Sequence, residues 1–78
     1  LASGFSVSPN PASDLVYVKS SFDQLKEYTI FVTDMMGRQM TPQLKNVGFV
    51  DVQSFVPGLY FVQIITKDGS ASFPFYKQ

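Results

Sequence analysis

Apolar residues in this chain recur at every second position rather than at helical spacing. That period restricts the chain to strands with one face buried and one face wetted. The clearest run is Gly58–Thr66, where Tyr60, Val62 and Ile64 face one way and Leu59, Phe61 and Ile65 the other. Residues 28–33 repeat the pattern through Tyr28, Ile30 and Val32, in a stretch whose β-branched and aromatic side chains suit a pleated surface. Shorter runs at 5–7, 15–19, 39–43, 47–52 and 71–76 bring the expected strands to seven, with Val16 and Val18 sharing one face of their strand and Val50 and Val52 sharing one face of theirs.

Turn chemistry separates these runs. In Ser8-Pro9-Asn10-Pro11-Ala12-Ser13-Asp14 two prolines lack N–H donors, so a corner without ladder pairing is expected there. Residues 20–26 read as a polar connection into which Phe22 and Leu25 tuck. Asp34-Met35-Met36-Gly37-Arg38 reads as a tight turn, since Asp34 can accept from nearby backbone N–H groups and Gly37 can take positive φ. Pro42 marks 39–43 as a weak edge strand, and Pro74 marks the last strand as an edge. Residues 53–57 cross over, and in Lys67-Asp68-Gly69-Ser70 the Asp-Gly pair is expected to supply the positive φ angles of a hairpin turn.

Seven short strands with no helical stretch predict an all-β fold, an immunoglobulin-like or fibronectin-like sandwich of two antiparallel sheets, with a small barrel as the alternative. The spacing Phe55-x-x-Gly58-x-Tyr60 favours the sandwich. It puts a tyrosine near the start of a strand just after a crossover, the layout of a tyrosine corner. A length of 78 residues accommodates one core, and a hydrophobic content of 45% with zero net charge is that of a folding chain rather than a disordered one.

The sequence holds neither histidine nor cysteine. The usual general base, the thiolate nucleophile, disulfides and nitrogen or sulfur metal ligands are therefore missing. The acids Asp14, Asp23, Glu27, Asp34, Asp51 and Asp68 could in principle pair as a glycosidase dyad, but so short a chain offers little surface for a substrate cleft; no loop clusters the oxygens a calcium ion needs, and the isolated glycines form no phosphate cradle. No enzyme activity and no cofactor are expected. Six basic and six acidic residues are scattered singly, which argues against nucleic acid or anionic lipid as a partner. No apolar run approaches the roughly 20 residues of a membrane span, so no direct membrane insertion is expected. The start at Leu1 reads as internal, and the chain is expected to be one module of a longer protein.

Three marks stand in order: Pro9-Asn10-Pro11 with Ser13-Asp14, then Asp34-Met35-Met36-Gly37-Arg38, then Gly58-Leu59-Tyr60-Phe61-Val62. Together they resemble the type A C-terminal sorting domain of the type IX (Por) secretion system of Bacteroidota, over the chain from about Phe5 onward. The resemblance implies a single sorting domain over residues 1–78, with 1–4 the remnant of a linker, following an upstream cargo domain of the same chain. It also implies recognition by the outer-membrane translocon and a shuttle protein, passage through the periplasm, and usually removal by a surface sortase, leaving the cargo at the cell surface or secreted. The family's last strand commonly carries a basic residue, for which Lys77 is the match, although Pro74 departs from the family's alternating apolar tail.

Each mark also has a plain structural reading. Pro9, Asn10 and Pro11 make a rigid corner or a recognition element. Asp34 and Gly37 suit the turn, while Arg38 can offer its guanidinium to Asp34 or to a partner's carboxylate. Gly58 and Tyr60 are explained by the tyrosine corner. Met35, Met36 and Met40 are expected to pack in or against the core, with an adaptable binding patch as the alternative. Phe61, Phe73 and Phe75 cannot all be inside if the faces alternate. A second functional class, an immunoglobulin-like adhesion or carbohydrate-binding module, requires exposed aromatics arranged as a sugar platform.

Overall fold

In the computed structural model, which describes residues 4–20 and 27–78, every regular element is a strand. They are β1 (Phe5–Ser8), β2 (Leu15–Ser20), β3 (Thr29–Asp34), β4 (Leu44–Lys45), β5 (Phe49–Asp51), β6 (Gly58–Thr66) and β7 (Gly69–Lys77). A three-stranded sheet runs β1-β2-β5 and a four-stranded sheet runs β4-β3-β6-β7, with antiparallel pairing throughout. The expected sandwich is therefore the architecture observed.

The period-two faces decide what the sheets enclose. Val16, Val18, Val50 and Val52 come from one side, and Ile30, Val32, Tyr60, Val62, Ile64 and Phe75 from the other; all are buried. Register aligns these side chains in rows, Val16 with Val50, Ile30 with Ile64, Val32 with Val62, and Tyr60 between Asp34 and Phe75. Each fully buried Val or Ile contributes about 1.5–3 kcal/mol relative to exposure. Phe75 is wholly inside, Phe73 packs against the core, and Phe61 is half-buried on the outer face, which settles how the three aromatics divide.

Several local expectations are corrected. The fourth strand lies at Leu44–Lys45 rather than at 39–43, where Gln39 makes only an isolated bridge to Thr33. The reason is that this segment serves the β3 edge by other means: Met40 N–H donates to Val32 O at 2.7 Å, and Thr41 Oγ1 accepts from Val32 N–H at 3.0 Å. With those groups occupied and Pro42 lacking an N–H, a regular ladder cannot start before Leu44. The fifth strand is shorter than the expected 47–52 run, at Phe49–Asp51.

In the β6–β7 hairpin the two turn residues are Lys67 and Asp68, and the positive φ falls on Gly69 (140°), the first residue of β7, rather than on an Asp-Gly pair. The Thr66 hydroxyl accounts for the shift, accepting from Asp68 N–H at 3.1 Å and donating to Gly69 O at 3.2 Å. The methionines do not pack inside: Met35, Met36 and Met40 are all exposed, because the turn that carries the first two projects beyond the end of β3. The expected tucking of Phe22 and Leu25 lies outside the described residues.

Pro74 does occupy an edge strand, and parity explains why it is tolerated there. Tyr76 turns its N–H and C=O away from β6, towards residues 10 and 12. Pro74, two positions earlier, has the same parity, so its missing N–H removes no bond to β6.

Candidate functional site

The two sheets place all nine sequence candidates at one end of the sandwich. Asp34 ends β3 and lies opposite Tyr60; Gly58 opens β6 and lies opposite Lys77; and Ala12 bridges to Lys77 in parallel. Three segments far apart in the chain thus meet there: the proline corner, the turn after β3, and the junction of β6 with the end of β7. An open groove of about 660 Å³ lies at the opposite end, lined by Tyr28, Lys45, Asn46 and Lys67 among others, and none of the nine candidates faces it.

The corner does more than redirect the chain. Both prolyl bonds, Ser8-Pro9 and Asn10-Pro11, are cis. Asn10 Oδ1 accepts a hydrogen bond from Tyr76 N–H at 2.9 Å, Ala12 N–H donates to Tyr76 O at 2.7 Å, and Gln78 N–H donates to Ala12 O at 2.8 Å. The expectation of a corner without ladder pairing is therefore corrected at Ala12. This residue still has its N–H, and the Asn10 carboxamide oxygen accepts from Tyr76, so the pairing needs neither of the N–H groups that the prolines lack. Ala12 is fully buried, so the small side chain at this position lets the corner lie directly against the last strand.

The turn after β3 is organised by one carboxylate. Asp34 Oδ1 accepts from the main-chain N–H groups of Met36 and Arg38, each at 2.9 Å, while Oδ2 accepts from Arg38 Nε at 2.7 Å. Gly37 N–H donates to Asp34 O and Asp34 N–H to Arg38 O, both at 3.0 Å. The Arg38 main-chain N–H, followed by the Arg38 guanidinium and Met36 N–H, holds the Asp34 carboxyl below its ordinary value against the opposing effect of desolvation. Gly37 sits at φ +84° with no heavy atom within 4 Å of where a Cβ would be, so its requirement is one of backbone conformation and not of space. Arg38 Nε meets Asp34 Oδ2, and the Arg38 side chain stays 77% exposed.

Tyr60 forms the expected corner. Its hydroxyl donates to Val56 O at 2.7 Å, four residues upstream, while its ring lies between Phe55 (centroids 5.0 Å apart) and Phe75 (5.8 Å, stacked). Lys77 differs from a freely offered cation: it is buried, and its Nζ donates to the main-chain oxygen of Gln78 at 2.9 Å. What sequence reasoning missed was the docking of Asn10 and Ala12 on β7. The one signal for it was an Asn held between two prolines, where a side-chain acceptor stands beside a backbone that cannot donate.

Chemically this end is a set of fixed hydrogen bonds with exposed apolar and guanidinium groups around them. Among the described residues, no three His, Cys, Asp or Glu side chains gather into a metal-binding group. The exposed aromatics on the outer face of the three-stranded sheet, Tyr17 and Phe49, are tilted 51° to each other and do not form a flat platform.

Comparison with known families gives a match to the secretion system C-terminal sorting domain over residues 6–74. A search among curated proteins finds no match.

Proposed function

The chain belongs to the family of secretion system C-terminal sorting domains, the sorting signals of the type IX system, and from that membership we propose that it is read at the end where its three sequence marks converge. Members of this family act as export signals rather than catalysts, and the signal implies transfer of its protein toward the cell surface or the medium. On the proposed reading, an upstream cargo in the same chain is carried through the periplasm and across the outer membrane. The shuttle protein and translocon bind the folded sandwich, and a surface sortase then removes it. The domain spans residues 1–78 and supplies the address, while any catalysis belongs to the cargo.

One observation carries this reading. Asn10, Asp34, Arg38, Gly58 and Tyr60 come from three separated segments, yet register and side-chain hydrogen bonds bring them to a single end. A recognition element assembled in this way exists only in the folded domain, which suits a receptor that must distinguish a completed module from an unfolded chain.

The test is a fusion of residues 1–78 to the C-terminus of a fluorescent reporter with a periplasmic export signal, expressed in a type IX-competent host and in its translocon-deficient counterpart. Reporter on the surface or in the medium of the first host alone supports the proposal. Folded reporter kept in the periplasm of both would overturn it and favour the adhesion or carbohydrate-binding alternative.

A further inference from the structure

The turn after β3 is over-determined in its backbone and unexplained at its tip. Five hydrogen bonds within Asp34 to Arg38 hold this turn, four of them to main-chain groups, and the residues they require are Asp34 as acceptor and Gly37 for its positive φ. None of them asks for methionine at 35 or 36, positions where turns ordinarily carry polar or small residues. Met35 is 67% exposed and Met36 is 81% exposed. On the neighbouring crossover Val56 is 72% exposed, while its own carbonyl is held by the Tyr60 hydroxyl and Tyr60 lies opposite Asp34 in register.

A single exposed apolar residue is ordinary, but here three stand at one end on backbone that hydrogen bonds hold in place. Methionine adapts to irregular apolar surfaces, and a fixed main chain lowers the ordering cost of binding. Beside them Arg38 uses Nε for Asp34, and among the described residues its Nη groups take no further partner. A guanidinium held in this way is set for a second carboxylate.

We infer that Met35, Met36 and Val56, with Arg38 at their side, insert into an apolar pocket on a protein of the secretion machinery, and that this pocket carries a carboxylate at its rim. The inference rests on the sorting function proposed above and adds the chemistry of the partner. Charge decides for a protein pocket over an anionic membrane surface: Asp14 and Asp51 are both exposed at the same end, where a sheet of phosphates would repel them, whereas one carboxylate aligned with Arg38 would not.

The reporter fusion tests this with paired variants. Met35→Ser/Met36→Ser is expected to lower translocon-dependent export about tenfold, as for central interface anchors, while Met35→Leu/Met36→Leu stays within about twofold of the parent. Both should melt as the parent does, because the side chains are exposed. Parent-like export of the serine variant overturns the inference and leaves the sorting function standing; failure of the parent itself to depend on the translocon overturns both. If the double serine variant melts lower, Met36→Ser alone decides: about a threefold loss supports the pocket and parent-like export overturns it. Binding of the purified chain to anionic phospholipid vesicles that is lost with the serine pair would overturn the pocket in favour of a membrane surface.

Discussion

The side chain of Asn10 reaches the main-chain N–H of Tyr76, 66 residues away, and takes from it a 2.9 Å hydrogen bond that a neighbouring strand would otherwise have to provide. Ala12 continues the same edge with its own N–H and C=O, so the corner between β1 and β2 serves as a short parallel partner for the end of β7. The covering matters because an uncovered strand edge is a template for pairing with other chains. It also ties the beginning of the domain to its end.

Asn10→Ala is expected to destabilise the domain by about 1 kcal/mol or less, since the lost bond is solvent-exposed and water can replace it. The local effect should be larger than the global one. Amide exchange at Tyr76 should quicken in Asn10→Ala and stay near the parent rate in Asn10→Asp, which keeps an acceptor oxygen. An unchanged Tyr76 exchange rate in the alanine variant would show that the side chain does not hold the edge.

Tyr60→Phe keeps the ring between Phe55 and Phe75 and removes only the hydroxyl that donates to Val56 O. A loss of about 1 kcal/mol is expected from urea denaturation, with the slope unchanged because the buried surface is the same. Tyr60→Ala should cost about 3–5 kcal/mol, enough to leave so small a domain largely unfolded. A phenylalanine variant as stable as the parent would remove the corner from the account of stability.

The Asp34 carboxyl titrates below its unfolded value, and the sign of its contribution follows. The folded state favours the carboxylate, so this stabilisation is fully present above the ordinary aspartate range near pH 4 and is lost as pH falls through the lower folded value. Asp34→Asn is nearly isosteric and cannot titrate. The difference in denaturation midpoint between parent and Asp34→Asn should therefore shrink on going from neutral pH to about pH 3. A constant difference would mean that Asp34 stabilises the turn only as a neutral acceptor.

Gly37→Ala places a Cβ on backbone at φ +84°, in open space. The penalty is then purely conformational, about 1–2 kcal/mol, and Gly37→Asn should recover part of it because asparagine tolerates the left-handed region better. Equal stability of the alanine and asparagine variants, measured by thermal melting, would count against this account.

Much of the fold was legible because its determinants are local. Alternation put Val16 with Val18, Ile30 with Val32 and Val62 with Ile64 on shared faces, and those are the faces the structure buries. Tyr60 two residues after Gly58 announced the corner, and Asp34 with Gly37 announced the turn. The misreadings arose where two local signals competed. Residues 39–43 alternate like a strand, yet Met40 and Thr41 spend their polar groups on Val32 one at a time, and the ladder waits until Leu44. The outward methionines defy the packing expectation because hydrophobicity gives no direction at a turn tip.

The amino-acid sequence by itself determined which residues share a face, where the chain must bend, and the order of marks that identifies the family, since each depends on side-chain period or on the φ preferences of one or two residues. Only the tertiary structure decided that the proline corner lies on β7, that Lys77 is buried, and that three distant segments form one end. Strand partners are chosen by closing loops of different length around a shared core. That choice balances chain entropy against burial over the whole domain, a quantity no short stretch of sequence carries.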